Sequence, residues 1–322
     1  MDFVSRRWWY LLFSGLVILA GIISMTIPPA FRVGIEFTGG ATLMATFQEP
    51  TSQEAMRVEM TSLGHQDASI QRSGDRSFFI RTRELAEAQR DPQTGLVVKP
   101  SERETIQKAL EERFGKIEGF EFASVSPVVA GETVRNAILA VALASVFILL
   151  YIWWAFRRMP HSFRLGVAAV VALMHDVMVT LGLISILGKF IHVEVNAMFI
   201  TGVLTVVGYS VHDTIVVFDR VRENSLRGVA RELETTINVS IMETMGRSLG
   251  TSLTTLFAIV ALLLFGGATI RSFLLTLLIG IITGTYSSIF VASQLLVVWE
   301  RREWLGPLAR LLRRKAEPAQ VP

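Results

Sequence analysis

Six long apolar runs divide this sequence, and each is long enough to cross a membrane as a single helix. A spanning helix needs about 20 mostly apolar residues, because the hydrocarbon core of a bilayer is about 30 Å thick. Charged residues lie mainly between the runs and are sparse within them. We therefore predict transmembrane helices over Trp9–Ile27, Asn136–Phe156, Phe163–Leu187, Val195–Phe218, Leu249–Phe265 and Phe273–Trp299.

Basic residues are unevenly distributed between the two sides of these runs. One side holds most of the arginines, including a basic tail over residues 301–322, whereas the two short loops of the other side contain only Lys189 and Arg271. The positive-inside rule places the arginine-rich side, and with it both termini, in the cytosol. Arg6 and Arg7 also resemble the start of a cleaved twin-arginine export signal, but the first run is long for a signal, so we expect a retained anchor.

One long polar segment, residues 32–130, separates the first two spans, so we expect it outside the cytosol as a small domain. Residues 1–31 then form the cytosolic N terminus and first span, and residues 131–300 form spans two to six. Alternation predicts strands in the polar segment, and helical spacing of apolar residues predicts helices. The predicted order is strand Ala41–Gln48, helix Ser52–Leu63, strands Ala68–Arg72 and Ser77–Thr82, helix Ser101–Phe114 and strand Phe120–Ser126.

This βαββαβ order is typical of the ferredoxin-like fold. The predicted fold class is therefore a membrane bundle of six transmembrane helices with an α+β ferredoxin-like domain outside the cytosol.

The composition agrees with a membrane protein and excludes several kinds of site. Of the 322 residues, 51% are hydrophobic and only 18% are charged, against about 25% in soluble domains. The absence of cysteine excludes disulfides and thiolate metal sites. The sequence contains no phosphate-binding glycine loop and no arrangement of a nucleophile with a base. We therefore expect neither a metal nor a cofactor, and a function other than catalysis.

Ionisable residues inside the predicted spans are the first functional candidates, because a charge at membrane depth is costly. Asp213 lies in the fourth span and Arg247 at the start of the fifth, so antiparallel packing would bring both to the cytosolic half. A carboxylate beside an arginine stays ionised, whereas a desolvated one binds a proton, so an aspartate that alternates between the two can carry protons. Thr251, one turn after Arg247, could add a hydroxyl. Two alternatives stay open: Arg247 as a positive-inside anchor and Asp213 as a structural residue.

Three further titratable residues lie in the spans. His175 and Asp176 are midway along the third span, about 20 Å from its start at about 1.5 Å per residue. They could form a proton relay or a helix-packing pair. His212 directly precedes Asp213 and is a further candidate for the relay.

The strongest family resemblance lies at residues 207–224, which read VGYSVHDTIVVFDRVREN. Three other stretches agree: 34–40 (GIEFTGG), 247–255 (RSLGTSLTT) and 284–288 (GTYSS). Together they closely resemble the SecF family, one half of the SecDF protein-export complex in the resistance–nodulation–division superfamily. The similarity covers essentially the whole chain. The matching residues of the motif after the first span are Gly34, Glu36, Phe37, Gly39 and Gly40.

The resemblance implies a motor driven by the proton gradient in the bacterial cytoplasmic membrane. A SecF pairs with SecD in a pseudo-symmetric assembly, associates with the SecYEG channel, and promotes export of preproteins. By position in the motifs, Asp213 resembles the proton-binding aspartate of the family and Arg247 its partner, with Thr251 nearby. A second aspartate would come from SecD, and some relatives use sodium instead. The family usually has asparagine at His212 and aspartate at Glu36, so the pH dependence of this chain could differ.

Two other functions compete with protein export. One is half of a small-molecule or lipid exporter of the same superfamily. Such exporters usually carry both halves and large outer domains on one chain, whereas this chain has a single half with a domain of about a hundred residues. The other is a passive scaffold for the channel, in which Asp213 would be structural. An Asp213→Asn substitution separates motor from scaffold, because the amide keeps the size of the side chain and cannot cycle a proton.

Overall fold

The computed structural model describes residues 2–72, 74–90, 97–157, 159, 162–191, 193–267 and 270–301. The chain divides into two compact units. The membrane unit comprises Met1–Arg32 and Leu139–Pro322, and the outer unit comprises Val33–Ile138.

Ten α-helices lie in the described part of the chain. They are α1 Arg7–Thr26, α2 Ile35–Thr38, α3 Gln53–Ser62, α4 Glu102–Phe114, α5 Pro127–Ala155, α6 Ser162–Phe190, α7 Ala197–Leu226, α8 Leu233–Phe265, α9 Arg271–Ser287 and α10 Ser293–Glu300. A π-helical turn, Ser288–Ala292, joins α9 to α10. The strands are β1 Arg32–Val33, β2 Gly40–Phe47, β3 Ser69–Arg72, β4 Ser77–Thr82, β5 Gln89–Arg90, β6 Val97–Lys99, β7 Ile117–Val125 and β8 Glu194–Val195.

Six helical segments are long and apolar enough to cross a membrane, which confirms the predicted number. They are α1, α5, α6, α7, α8 and the continuous segment Arg271–Glu300. The fifth begins at Leu233, well before the predicted start at Leu249. Hydropathy missed this first part because polar residues such as Thr236 and Ser240 interrupt the apolar run, although both side chains are buried in the structure.

The membrane unit is centred on α6, α7 and α9, which are far more buried than α1, α5 and α8. Two glycines of α9 determine how closely that helix approaches α7. A Cβ atom added at Gly280 would lie 2.0 Å from Cγ2 of Val206, and one at Gly284 would lie 3.0 Å from Cβ of Ser210. Small residues allow helix backbones to approach in this way inside a membrane. This close approach of α7 and α9 brings polar side chains of the two helices into direct contact.

The outer unit contains a four-stranded antiparallel sheet in the order β3-β4-β2-β7. Side chains alternate along β2, with Leu43, Ala45 and Phe47 fully buried. Apolar residues of α3 and α4, including Met60 and Leu110, belong to the same core cluster. Both helices begin at a serine cap: the Ser52 hydroxyl accepts from the amide of Ala55, and the Ser101 hydroxyl from that of Glu104. Strands β5 and β6 pair as a separate short ribbon.

Candidate ion-binding site in the membrane helices

Asp213 lies on the inner face of α7, and only 3% of its surface is exposed. Its Oδ2 atom is 3.3 Å from the hydroxyl of Thr285 on α9. That hydroxyl is 2.6 Å from the hydroxyl of Ser252 on α8, so three helices meet at the carboxylate. Among the described residues, no basic side chain lies within 4 Å of Asp213 to neutralise it. The site offers a buried carboxylate surrounded by hydroxyl groups.

Asp176 is a second carboxylate in the same helices, and it is completely buried. Its Oδ2 atom accepts a hydrogen bond from Ser210 on α7 at 2.5 Å and one from Ser287 on α9 at 2.7 Å. Its Oδ1 atom is 2.9 Å from Nδ1 of the neighbouring His175. Asp176 therefore joins α6 to both of the other central helices.

His175 is also buried, with 7% of its surface exposed. Its ring stacks on Tyr286 of α9, with 6.3 Å between the ring centroids and 29° between the planes. The Tyr286 hydroxyl donates to the carbonyl oxygen of Tyr10 on α1 at 3.0 Å. Nε2 of His175 has no hydrogen-bond partner among the groups that the structure describes. The histidine and Asp176, predicted as a possible relay, are thus in direct contact.

Arg247 and Thr251 lie on an exposed face of α8. The Thr251 hydroxyl donates to the carbonyl oxygen of Arg247 at 3.0 Å, within the same helix. Arg247 is absent from the ion pairs formed by the described part of the chain. Arg247 and Asp213 nevertheless lie on the same stretch of the α7–α8 pair, because Tyr209–Ser252 contacts and Arg220–Glu243 contacts bracket both residues. The Asp213–Arg247 pairing stays a prediction.

His212 is exposed, although it directly precedes the buried Asp213. One residue corresponds to a rotation of about 100° around a helix, so neighbours point in different directions. His212 shares an exposed stripe of α7 with Thr201, Thr205 and Gly208. Among the described contacts, His212 forms no hydrogen bond or ion pair with either carboxylate.

Sequence reasoning missed the hydroxyl residues that surround the two carboxylates. Ser252 contacts the Asp213 site, whereas the predicted Thr251 does not. Thr214 of α7 and Ser288 of the π-helical turn add another contact between the same helices, with 2.9 Å between their hydroxyls. These hydroxyl residues could have been found in the sequence from the high frequency of serine and threonine in the apolar stretches 247–255 and 284–288.

The motif after the first span belongs to the outer unit. Glu36 and Phe37 lie in the short helix α2, which begins after Gly34. Gly39 and Gly40 end that helix with φ angles of 73° and 120°, which favour glycine. A Cβ atom at Gly40 would lie 2.6 Å from the carbonyl oxygen of Thr82, so the residue also permits close packing against β4. The structure therefore supports a role in shaping the backbone at the start of β2.

The charged residues at the end of α7 form an ion-pair cluster. Nε of Arg220 is 2.7 Å from Oε2 of Glu243, and NH1 is 2.5 Å from Glu223. Asn224 also donates to Glu243, at 2.7 Å. The two contacts with Glu243 join the end of α7 to the first part of α8. They hold together the two helices that carry Asp213 and Ser252.

Comparison with known proteins identifies a family. The family model described as protein export membrane protein SecD/SecF, C-terminal, matches residues 105–302. The chain is 43% identical over 306 residues to the protein translocase subunit SecF of Thermobaculum terrenum, covering 95% of this chain and 96% of that protein. It is 33% identical to the protein translocase subunit SecDF of Bacillus subtilis, covering 94% of this chain and 38% of that protein.

A solved structure agrees with these relatives. The crystal structure of SecDF, a translocon-associated membrane protein from Thermus thermophilus, matches 94% of this chain with 31% identity and a TM-score of 0.72. The chain spans 39% of the length of that structure.

Proposed function

The chain belongs to the SecD/SecF family of protein-export membrane proteins, and from that membership we propose that it is the SecF half of an export motor. Paired with SecD, it uses the proton-motive force to promote preprotein export by the Sec translocase across the bacterial cytoplasmic membrane. Relatives named protein translocase subunit SecF match the chain over nearly its full length. A longer relative named SecDF contains the matching region within one polypeptide, which supports the pairing.

The buried carboxylate of Asp213 is the observation that carries the proposal. Burying a charged group without a partner costs much more than burying a neutral one. The described hydrogen-bond partners of Asp213 are hydroxyl groups, and no described cation lies within ion-pair distance of it. A proton that binds there relieves the cost of burial, and a cationic partner that approaches instead relieves it by pairing. The carboxylate can therefore alternate between a protonated and a paired state, which is what ion-driven work requires.

The exposed polar face of α7 and α8 supports a partner in the membrane. Arg247 and His212 are both exposed on these apolar helices. A side chain of this kind in contact with lipid is strongly disfavoured, so it faces a cavity or another protein. A SecD subunit that covers this face would remove both groups from lipid and could bring a carboxylate to Arg247. The same partner would draw Arg247 towards Asp213.

The rest of the assignment follows the charge pattern and the order of elements. We place both termini in the cytosol, because most basic residues flank the spans on that side. Residues 32–130 then lie outside the cytosol as an α+β domain. Its order β2-α3-β3-β4-α4-β7 and its sheet order support the ferredoxin-like class. Association with SecYEG and contact with preproteins belong to the same proposal.

The decisive experiment replaces the native gene with Asp213→Asn and measures accumulation of unprocessed secretory precursors. The expected result is accumulation comparable to that in cells lacking the chain, because the amide cannot exchange a proton. The matched control is Asp219→Asn, which makes the same change at an exposed position of the same helix. Membrane levels of the variant and of SecD are measured by immunoblotting. Normal export by Asp213→Asn, with a clear defect in null cells, would establish the scaffold function instead.

A further inference from the structure

The pair His175–Asp176 is the most deeply buried ionisable group in the described membrane helices that the proposed mechanism does not use. The carboxylate has no exposed surface, and the histidine is more than nine-tenths buried. Both residues lie in the middle of α6, where a charge without a function would be costly. The arrangement of hydrogen bonds decides which atom can exchange a proton.

When Asp176 is ionised, its hydrogen bonds determine the tautomer of His175. An ionised carboxylate only accepts hydrogen bonds, and Asp176 receives them from Ser210 and Ser287 on Oδ2. The remaining contact, from Nδ1 of His175 to Oδ1 at 2.9 Å, then requires a proton on Nδ1. Nε2 is left as the acceptor nitrogen of a neutral imidazole. Since Nε2 has no partner among the described groups, it is the open position of the pair.

A carboxylate on Nδ1 prepares a histidine to take up a proton at Nε2. It holds the ring in one tautomer and orientation, and it stabilises the imidazolium that forms. Asp176 satisfies the geometric requirement, and its two serine donors keep it in place. Most buried polar side-chain atoms have a hydrogen-bond partner, whereas Nε2 of His175 has none among the described groups.

Few other titratable groups face the pair. The titratable residues of α1 are Arg7, at its start, and Tyr10. Those of α9 are Arg271, at its start, and Tyr286, whose ring stacks on His175. The π-helical turn contains none, and Glu300 of α10 pairs with Arg164 at the end of the span. On α7, the titratable residues within three positions of Ser210 are Tyr209, His212 and Asp213. No described cation other than the histidine itself competes for Asp176.

Residues 284–288 of α9 and the π-helical turn connect the two carboxylates. The Thr285 hydroxyl contacts Asp213, and the Ser287 hydroxyl contacts Asp176. The Ser288 hydroxyl lies 2.9 Å from that of Thr214 on α7. A change in the charge of either carboxylate alters hydrogen bonds to the same short segment, which therefore links the two sites. π-Helical turns inside α-helices occur frequently at functional sites.

We propose that His175 and Asp176 form a second proton-binding site in the membrane, with the proton held on Nε2 of His175 and with residues 284–288 coupling it to Asp213. Asp176 acts as the positioning residue and counter-ion. The inference rests on the proposed ion-driven function, because it adds a second binding site for the same ion. The coupling is reciprocal: a proton on one site changes the affinity of the other by the same factor.

The test is ¹⁵N NMR of the full chain in lipid bilayers, with labelled histidine and with His175→Asn to assign the signal. At high pH we expect a protonated Nδ1 and a bare Nε2, and on acidification a protonated Nε2. Asp213→Asn should shift the titration midpoint by about 0.5–2 pH units. Thr285→Val provides a second variant that interrupts the link. Thr283→Val, whose hydroxyl donates to the carbonyl oxygen of Ile279 in its own helix, should leave the midpoint unchanged.

Three results would overturn the proposal. They are a proton on Nε2 at every pH, an absence of titration, and a midpoint that neither Asp213→Asn nor Thr285→Val moves. The measurement does not involve protein export. A titrating His175 together with normal export by Asp213→Asn cells would therefore refute the proposed function and leave the proton-binding site intact.

Discussion

Thr285 and Ser287 are two residues apart on α9, yet their hydroxyls contact two different buried carboxylates. Thr285 lies 3.3 Å from Oδ2 of Asp213, and Ser287 lies 2.7 Å from Oδ2 of Asp176. Gly280 and Gly284 of α9 allow α7, which carries Asp213, to pack close to the α9 backbone.

The first prediction concerns the hydroxyl at Thr285. Thr285→Val keeps the shape of the side chain and removes the hydrogen bond to Asp213. A hydrogen bond to a charged group contributes about 1.5–3 kcal/mol, so the ion affinity of Asp213 should change about tenfold or more. Export in cells carrying this variant should fall measurably below wild type when precursor processing is followed by pulse labelling. Thr283→Val is the control, and an equal defect in both variants would contradict a specific role for Thr285.

The second prediction concerns the close packing of α9 against α7 at Gly280. Gly280→Ala would place a Cβ atom 2.0 Å from Cγ2 of Val206, so α9 would have to move away from α7. Overpacking of this kind costs about 1–3 kcal/mol. We expect a lower midpoint of thermal unfolding in detergent, restored in part by the double variant Val206→Ala/Gly280→Ala. Gly208→Ala is the control, because the space around Gly208 is open. Unchanged stability of Gly280→Ala would show that α7 and α9 are not closely packed at this position.

The third prediction compares Arg247 in the chain alone and in the complex. Arg247→Gln should change the stability of the isolated chain by less than about 0.5 kcal/mol, because Arg247 is exposed and absent from the described ion pairs. In the complex with SecD the same change should lower the unfolding temperature, since a partner carboxylate would lose its cation. Thermal unfolding of both preparations tests this difference. Equal effects in the two would argue against a partner on this face.

The fourth prediction concerns pH and the outer unit. Partial burial acts to raise the pKa of Glu102, but the backbone amide of Ala86 and the charges of His65 and Arg83 outweigh it and hold the pKa below its usual value. The folded state therefore binds this proton less tightly than the unfolded state. The stabilisation is present above the unfolded pKa and is lost as the pH falls through the folded pKa.

Hydrogen exchange of the α4 amides in the full chain, corrected for intrinsic exchange rates, measures this loss. Glu102→Gln should remove about 1–2 kcal/mol of protection at neutral pH and flatten the acid dependence. Glu104→Gln makes the same change at an exposed position of the same helical turn. An acid dependence that survives Glu102→Gln would assign the effect to another group.

Local patterns in the sequence were sufficient for the outline of the protein. The number of spans and the order of elements in the outer unit follow from apolar runs and from periodicity, which depend on residues close in the chain. The elements that these patterns did not predict include the polar first part of α8, the short helix α2, the ribbon of β5 and β6, and the π-helical turn at Ser288–Ala292. Asp213 was also identified from the sequence, because burying an aspartate in a membrane span costs free energy and therefore indicates a functional residue.

Only the tertiary structure decided which side chains meet. Thr251 and Ser252 are adjacent and chemically alike, but a rotation of about 100° per residue leaves the first exposed and turns the second towards Thr285. Asp176 and Ser287 are 111 residues apart, and no local signal relates them. Their contact depends on the rotation and close approach of α6 and α9, which the packing of the whole bundle determines. The sequence therefore specified the ionisable groups, and helix packing specified their partners.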